Sequence, residues 1–381
     1  MIPHRFVPYL LATAATAAVA LAAPAHAVVF DVTNLVSDGS VPAHTVDPLL
    51  VNPWGVSFAP TGPFWISDNA KSVTTLYNGA GDKIAALPQV AIPPTGSAPT
   101  GQVFNSGGPT AFTIGGAKPL FLFDGEDGNI TGWTFSMGTT AQIGFSSGVG
   151  AIFKGLAIAN VGSDSFLYAA DFHNGVVDMF TNDFSTLSTT SFIDPGIASG
   201  YAPFNVRTLN GKVYVTYALQ DATAEDDVGG PGFGYVDVFN LDGTLDHRIA
   251  SLGDLNLNSP WGLAIAPASF KEFAGDLLVG NFGDGTISVY DPGGGGFLGK
   301  LRGRDGLPLV FGDLWALTPG NGAAAGDTQK IYFTAGLVEE SQGLFGSLTA
   351  VPEPWTWTLL SVGFGLTGAA LRSRRRRTAL A

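Results

Sequence analysis

Two distant stretches of this chain share one phrase. Asn52-Pro-Trp-Gly-Val-Ser-Phe-Ala-Pro60 leads into Phe64-Trp-Ile-Ser-Asp-Asn69 and then Val73-Thr-Thr-Leu-Tyr-Asn78. Asn258-Ser-Pro-Trp-Gly-Leu-Ala-Ile-Ala-Pro267 leads into Gly275-Asp-Leu-Leu-Val-Gly-Asn-Phe-Gly-Asp-Gly-Thr-Ile-Ser-Val-Tyr-Asp291. Each copy reads as an apolar strand opened by Pro-Trp-Gly, a second strand, a turn and a third strand. An internal repeat limits the available folds more than any local propensity does, because each copy must bury its apolar face against the next.

Four further copies follow the same plan without the full phrase. They open at Pro109-Thr-Ala-Phe-Thr-Ile114, Phe153-Lys-Gly-Leu-Ala-Ile158, Pro203-Phe-Asn-Val-Arg-Thr-Leu209 and Asp313-Leu-Trp-Ala-Leu-Thr318. Residues 93–108, rich in Pro, Gly and Ser, read as the loop before the second copy. Aligned on Trp54, the copies start at Trp54, Ala111, Leu156, Val206, Trp261 and Trp315, with steps of 57, 45, 50, 55 and 54 residues. About four strands fit each step, the size of a propeller blade. The sixth copy is one strand short, and the alternating stretch 29–36 supplies it. The expected fold is an all-β, six-bladed β-propeller over residues 28–350, closed by its N-terminal strand. In each blade the inner strand is apolar on both faces, Trp is expected to wedge between blades, and Gly allows close approach near the axis. Asp68, Asp124, Asp171 and Asn281 end second strands, where they are expected to cap turns.

The two ends read differently from the body. Residues 1–27 have a short basic start, an apolar stretch and Ala25-His-Ala27, the pattern of a secretory signal peptide. Residues 351–381 hold Pro352-Glu-Pro354, an apolar run from Trp355 to Leu371 and an arginine cluster with Arg374, Arg375, Arg376 and Arg377. That run reaches the roughly 17 residues needed to cross a bilayer, and the arginines favour the cytoplasmic side. Pro352, Glu353 and Pro354, the span and the arginines resemble, in that order, the PEP-CTERM sorting signal of Gram-negative bacteria. That resemblance implies an exosortase-type peptidase as partner, membrane contact through the tail before processing, and a destination in the cell envelope or outside the cell.

The body in turn resembles NHL-type blades and, more closely, a bacterial family of uncharacterised six-bladed propellers often found with PEP-CTERM tails. The resemblance rests on Asn34-Leu-Val-Ser-Asp38, Asn52-Pro-Trp-Gly55, Gln220-Asp221 with Asp226-Asp227-Val228, Gly234-Tyr-Val-Asp-Val-Phe239 and Gly343-Leu-Phe-Gly346. It implies a fold and no reaction.

Charge and composition narrow the partners. The chain has 18 basic and 31 acidic residues, a formal charge of −13. Removing both ends takes Arg5, five tail arginines and Glu353, leaving 12 basic and 30 acidic residues, near −18. Such a surface repels nucleic acid and anionic lipid. Cysteine is absent, which excludes disulfides, thiolate metal sites and thiol nucleophiles.

Chemistry is sparse. Lactonase-type propellers hold Ca²⁺ at the channel mouth through Glu, Asn and Asp oxygens. The comparable residues here are Asn52, Asn205, Asn258 and Asp313, with Glu339 or its neighbour Glu340. They define a candidate site for Ca²⁺, a polar substrate or water. His44, His173 and His247 fall in turns or loops and are not paired at ligand spacing. Gly144-Phe-Ser-Ser-Gly148 matches a hydrolase pattern but lacks the strand–turn–helix context that pattern requires. The acidic stretches 124–129 and 221–227 miss EF-hand spacing. The leading expectation is an exported, non-catalytic binding or matrix propeller for an exopolysaccharide or envelope protein. The alternative is a Ca²⁺-dependent lactonase or gluconolactonase-like hydrolase at the central channel.

Overall fold

Six β-sheets account for the body of this protein, in a computed structural model that describes residues 28–148, 150–186 and 191–351. Blade 1 is built from Pro53–Ser57, Phe64–Asp68, Val73–Tyr77 and Gln89–Ala91. Blade 2 uses Pro99–Phe104, Phe121–Gly125, Asn129–Trp133 and Gln142–Ser146, and blade 3 uses Phe153–Val161, Asp164–Asp171 and Val176–Phe180. Blade 4 uses Tyr201–Leu209, Lys212–Leu219, Tyr235–Phe239 and Leu245–Ala250. Blade 5 uses Pro260–Ile265, Leu277–Asn281, Ile287–Tyr290 and Phe297–Lys300. Blade 6 combines Leu314–Pro319, Ile331–Ala335 and Leu344–Val351 with the N-terminal strand Val29–Ser37. Neighbouring strands in each blade are antiparallel, and each blade's inner strand packs on the next, with the sixth packing on the first. The chain is a six-bladed β-propeller.

Closure is by the strand the sequence leaves over. Val29–Ser37 pairs antiparallel with Leu344–Val351, from Val29 opposite Val351 to Ser37 opposite Leu344. The ring is thus fastened by backbone hydrogen bonds between the two ends of the body, which leaves no unpaired seam for another chain to add to.

Two expectations are corrected. The second blade does not open at Pro109. Its inner strand is Pro99–Phe104, inside the stretch read as a loop. Proline stands at the first position of that strand, where no ladder donor is needed. A Cβ on Gly101 would lie 2.2 Å from the Leu156 nitrogen of blade 3, so only glycine fits there. The buried residues Ala111 and Phe112 pack instead beneath a loop, with Phe112 edge-on to Phe184. The inner-strand tryptophans Trp54, Trp261 and Trp315, for their part, do not wedge between blades. They point into the channel and stack on one another.

Among the described residues no helix is long and apolar enough to cross a membrane. The expected signal peptide at 1–27 and the expected sorting residues Pro352, Glu353, Pro354, Arg374, Arg375, Arg376 and Arg377 lie outside the described residues.

Candidate functional site

Ladder register fixes which residues share a level of the channel. Pro53, Pro99, Phe153, Pro260 and Leu314 each face the last residue of their second strand, and Pro203 faces Tyr217 near the end of its own. One residue further along come Trp54, Thr100, Lys154, Phe204, Trp261 and Trp315. Trp54 and Trp315 stack with ring centres 3.5 Å apart, and Trp261 meets them edge-on at 6.0 and 5.6 Å. Phe204 and Phe282 pack on Trp315 at 5.9 and 4.3 Å. This aromatic layer separates an upper mouth, where the inner strands begin, from a lower channel, where they end.

Lys154 is the odd member of that layer. Its side chain is 2% exposed, and its ammonium sits 5.3 Å from the centre of the Trp54 ring and 6.0 Å from that of Phe172. A cation on an aromatic face is held by the ring quadrupole. The ammonium also donates to Glu126 and, at 3.3 Å, to Asp226. Burial works against its charge, but Glu126 and Asp226 outweigh burial and hold its pKa above the usual lysine value.

A chain of polar contacts crosses the mouth from this lysine. Asn69 Nδ2 donates to Glu126 at 3.1 Å, and Asn52 Nδ2 donates to Asn69 at 3.3 Å and to Glu340 at 2.6 Å. The Glu340 amide donates to Asp313 at 2.8 Å. Asn52 Oδ1 accepts from the Trp315 indole at 3.0 Å, tying this chain to the aromatic layer. Burial, reinforced by the charges of Glu126 and Asp313, raises the Glu340 carboxyl to about 7. Burial likewise raises Asp227, beside Asp226, to about 6.

Backbone conformation explains the residue types. Asn52, Ser259 and Asp313 directly precede inner strands and have φ of 49°, 46° and 53°, the left-handed region that Asn and Asp enter most readily. In the blade 6 loop Leu337, Val338, Glu339 and Glu340 are all left-handed, with φ of 49°, 40°, 54° and 61°. Four successive non-glycine residues there are strained. The turn leaves Glu339 exposed and swings Glu340 into the mouth.

The sequence-derived site is therefore split. Asn52 and Asp313 join through Glu340. Asn258 is at the same mouth, where its Oδ1 accepts from the Gly230 amide at 2.7 Å, away from the lysine. Asn205 lies one level down, its Nδ2 donating to the Trp261 carbonyl at 2.7 Å. Lys154, Glu126, Asn69 and Asp226 were missed. The available signal was Lys154 itself, a charge in an inner strand whose counterparts are mainly aromatic.

Of the residues that end second strands, Asp171 caps its turn through the Asn174 amide at 3.1 Å, and the Asn281 carboxamide oxygen accepts from the Asn258 amide at 3.1 Å. Asp68 and Asp124 are corrections. Both carboxylate oxygens of Asp68 are buried without a partner, and burial raises its pKa well above the usual range. Asp124 is raised to about 7 by burial. Thr100 Oγ1 lies 2.9 Å from Asp124 and 2.7 Å from the Phe153 carbonyl. The hydroxyl has one proton, and only the carbonyl must accept it, so Asp124 completes the set as the protonated donor to Thr100.

Calcium fits this mouth poorly. A hard cation takes about six to eight converging oxygens, whereas here the lysine ammonium already occupies the place between Glu126 and Asp226. A dication would face that charge directly. Among the described residues no group of three or more His, Asp or Glu side chains is placed to hold a metal.

Comparison with known proteins agrees with the fold. "Uncharacterized protein R648" of Acanthamoeba polyphaga mimivirus is 32% identical over 328 residues, covering 82% of this chain and 78% of the viral protein. "Uncharacterized protein L690" of the same virus is 33% identical over 334 residues, covering 83% of this chain and 85% of its own length. The chain belongs to their family. No protein-family profile matches it. Beyond the family, a structural genomics protein of unknown function from Bacteroides thetaiotaomicron superposes with a TM-score of 0.50 at 10% identity, covering 85% of this chain and 76% of that one. That likeness concerns the fold alone.

Proposed function

We propose that this propeller is a non-catalytic binding protein whose upper mouth takes a neutral, polyhydroxylated ligand such as a saccharide chain. The observation that carries this reading is the contact chain Glu340–Asn52–Asn69–Glu126–Lys154. It presents amides and carboxylates, the groups suited to hydroxyls, while the lysine that could act on a substrate is locked beneath them. The three histidines among the described residues are spent on carboxylates or carbonyls: His44 on Asp82, His173 on the Ala224 carbonyl, His247 on Asp246 and the Pro292 carbonyl. In this reading the protein is exported in a Gram-negative bacterium, and its tail is handed to an exosortase-type peptidase. The body then works in the envelope or outside the cell, against exopolysaccharide or an envelope protein.

The test is retention of the full chain on immobilised dextran and alginate, with Asn69→Ala and Glu126→Gln as variants. Retention on the neutral dextran, reduced at least tenfold in both variants, supports the reading. Retention on neither polymer, or retention indifferent to both changes, overturns it. Titration with calcium chloride adds a second arm. Tight one-to-one binding lost in Asn258→Ala and Asp313→Ala would replace the reading with a metal-dependent one.

A further inference from the structure

The lower channel holds a cation of the opposite kind, one without a partner charge. Arg207, on the inner strand of blade 4, reaches past blade 5 to blade 6. There it donates to the Leu317 carbonyl at 2.7 Å and to Thr318 Oγ1 at 3.0 Å. Those two contacts leave the remaining N–H groups of its guanidinium available. Among the described residues no carboxylate forms an ion pair with it, although the chain as a whole is strongly acidic. Burial alone lowers its pKa, to about 10, so it stays charged at neutral pH.

This arginine borders a cavity of about 210 Å³ beneath the aromatic layer. Ser57, Thr208 and Asn205 contribute polar groups, and Val103, Ile158 and Phe58 contribute apolar wall. Thr208 Oγ1 is buried there with no hydrogen-bond partner. A buried, unsatisfied hydroxyl and a guanidinium without an ion pair on the wall of one cavity are costly to leave as they stand. A carboxylate would answer the guanidinium, since arginine matches a carboxylate with two parallel donors. The cavity is below the roughly 300–1,000 Å³ typical of drug-sized ligands, and its walls are half apolar.

We infer that the lower channel is a binding site for a small organic carboxylate, with Arg207 holding the carboxylate and the apolar wall holding its body. The site is separate from the upper mouth, and the two stand or fall independently.

Benzoate is the probe, with neutral benzamide as its control, titrated calorimetrically into the full chain. One-to-one binding of benzoate, at least tenfold tighter than benzamide, is expected. Arg207→Met, close in length and uncharged, should lose that binding at least tenfold while its circular dichroism is unchanged. The inference is overturned if benzoate does not bind, if benzamide binds as well, or if Arg207→Met binds benzoate undiminished. Should Arg207→Met fail to fold, the benzoate–benzamide comparison still decides the charge requirement. Thr208→Val then decides the place, and undiminished binding in that variant would overturn it.

Discussion

Glu340 offers the sharpest test of the upper mouth. Its carboxyl titrates near 7, against 4.5 for the free group, because burial and the neighbouring charges of Glu126 and Asp313 disfavour ionisation. The folded state therefore binds more protons than the unfolded state between those two values, so stability falls as pH rises through that window. Below about 4.5 both states are protonated and nothing is lost, whereas above about 7 the loss is complete. The gap between 4.5 and about 7, at about 1.36 kcal/mol per pH unit, gives roughly 3 kcal/mol. Glu340→Gln removes the charge and keeps an acceptor for Asn52, so it mimics the protonated acid. The variant should be about 3 kcal/mol more stable than the parent at pH 8 and within about 1 kcal/mol of it at pH 5. At roughly 2 °C per kcal/mol for a domain of this size, the melting point at pH 8 should rise by about 6 °C. Calorimetric scans of both proteins at the two pH values decide it. A variant equally or less stable at pH 8, or one that gains the same at both pH values, would refute the placement of Glu340.

Three further outcomes follow from the same geometry. Lys154→Met should destabilise by about 2–4 kcal/mol in urea titrations. It strips a buried cation from Trp54 and Glu126, and the mostly exposed Asp226 adds little to the loss. Trp54→Ala should cost about 3–5 kcal/mol by the same measurement and quench the fluorescence signature of the stacked Trp54–Trp315 pair. Gly101→Ala should cost at least about 3 kcal/mol or abolish soluble expression, because the added carbon meets the backbone of blade 3, which cannot give way.

The ring and its closure were legible because both are patterns of burial. Alternation in 29–36 and the missing strand in the sixth copy sufficed to place one against the other. The inner strand Pro99–Phe104 was not legible, since its first four residues, Pro, Thr, Gly and Gln, carry no apolar signal. That strand is buried through backbone approach at Gly101 and through Gln102, whose amide reaches the Gly55 carbonyl at 2.8 Å. The mouth was half legible. Asn52 and Asp313 stand out at strand starts, but their residue type answers first to a left-handed backbone. Glu126 and Asp226 lie in acidic loops whose spacing fits no metal motif, and only the fold shows that both converge on Lys154. Asn205 looked equivalent to Asn52 in the repeat alignment. The ladder puts Phe204, not Val206, level with Trp54, so Asn205 falls one level deeper, against Gly155 and below the tryptophans.

Strain and charge meet at one residue of the mouth. Four consecutive left-handed residues cost about 1–2 kcal/mol each, and such a turn persists only where its surroundings over-determine it. Here the Asn52 amide binds the Gln342 carbonyl at 2.8 Å, and the Gln342 amide binds the Gly336 carbonyl at 3.0 Å. Asp313 holds the Glu340 amide. All three contacts fix the base of the loop and deliver one carboxylate into a place where burial resists its charge. A shorter, relaxed turn would close the same ring without that double penalty. A hydroxyl-rich ligand that donates to this carboxylate would offset the burial penalty of Glu340 and leave the backbone of residues 337–340 held by the contacts just named.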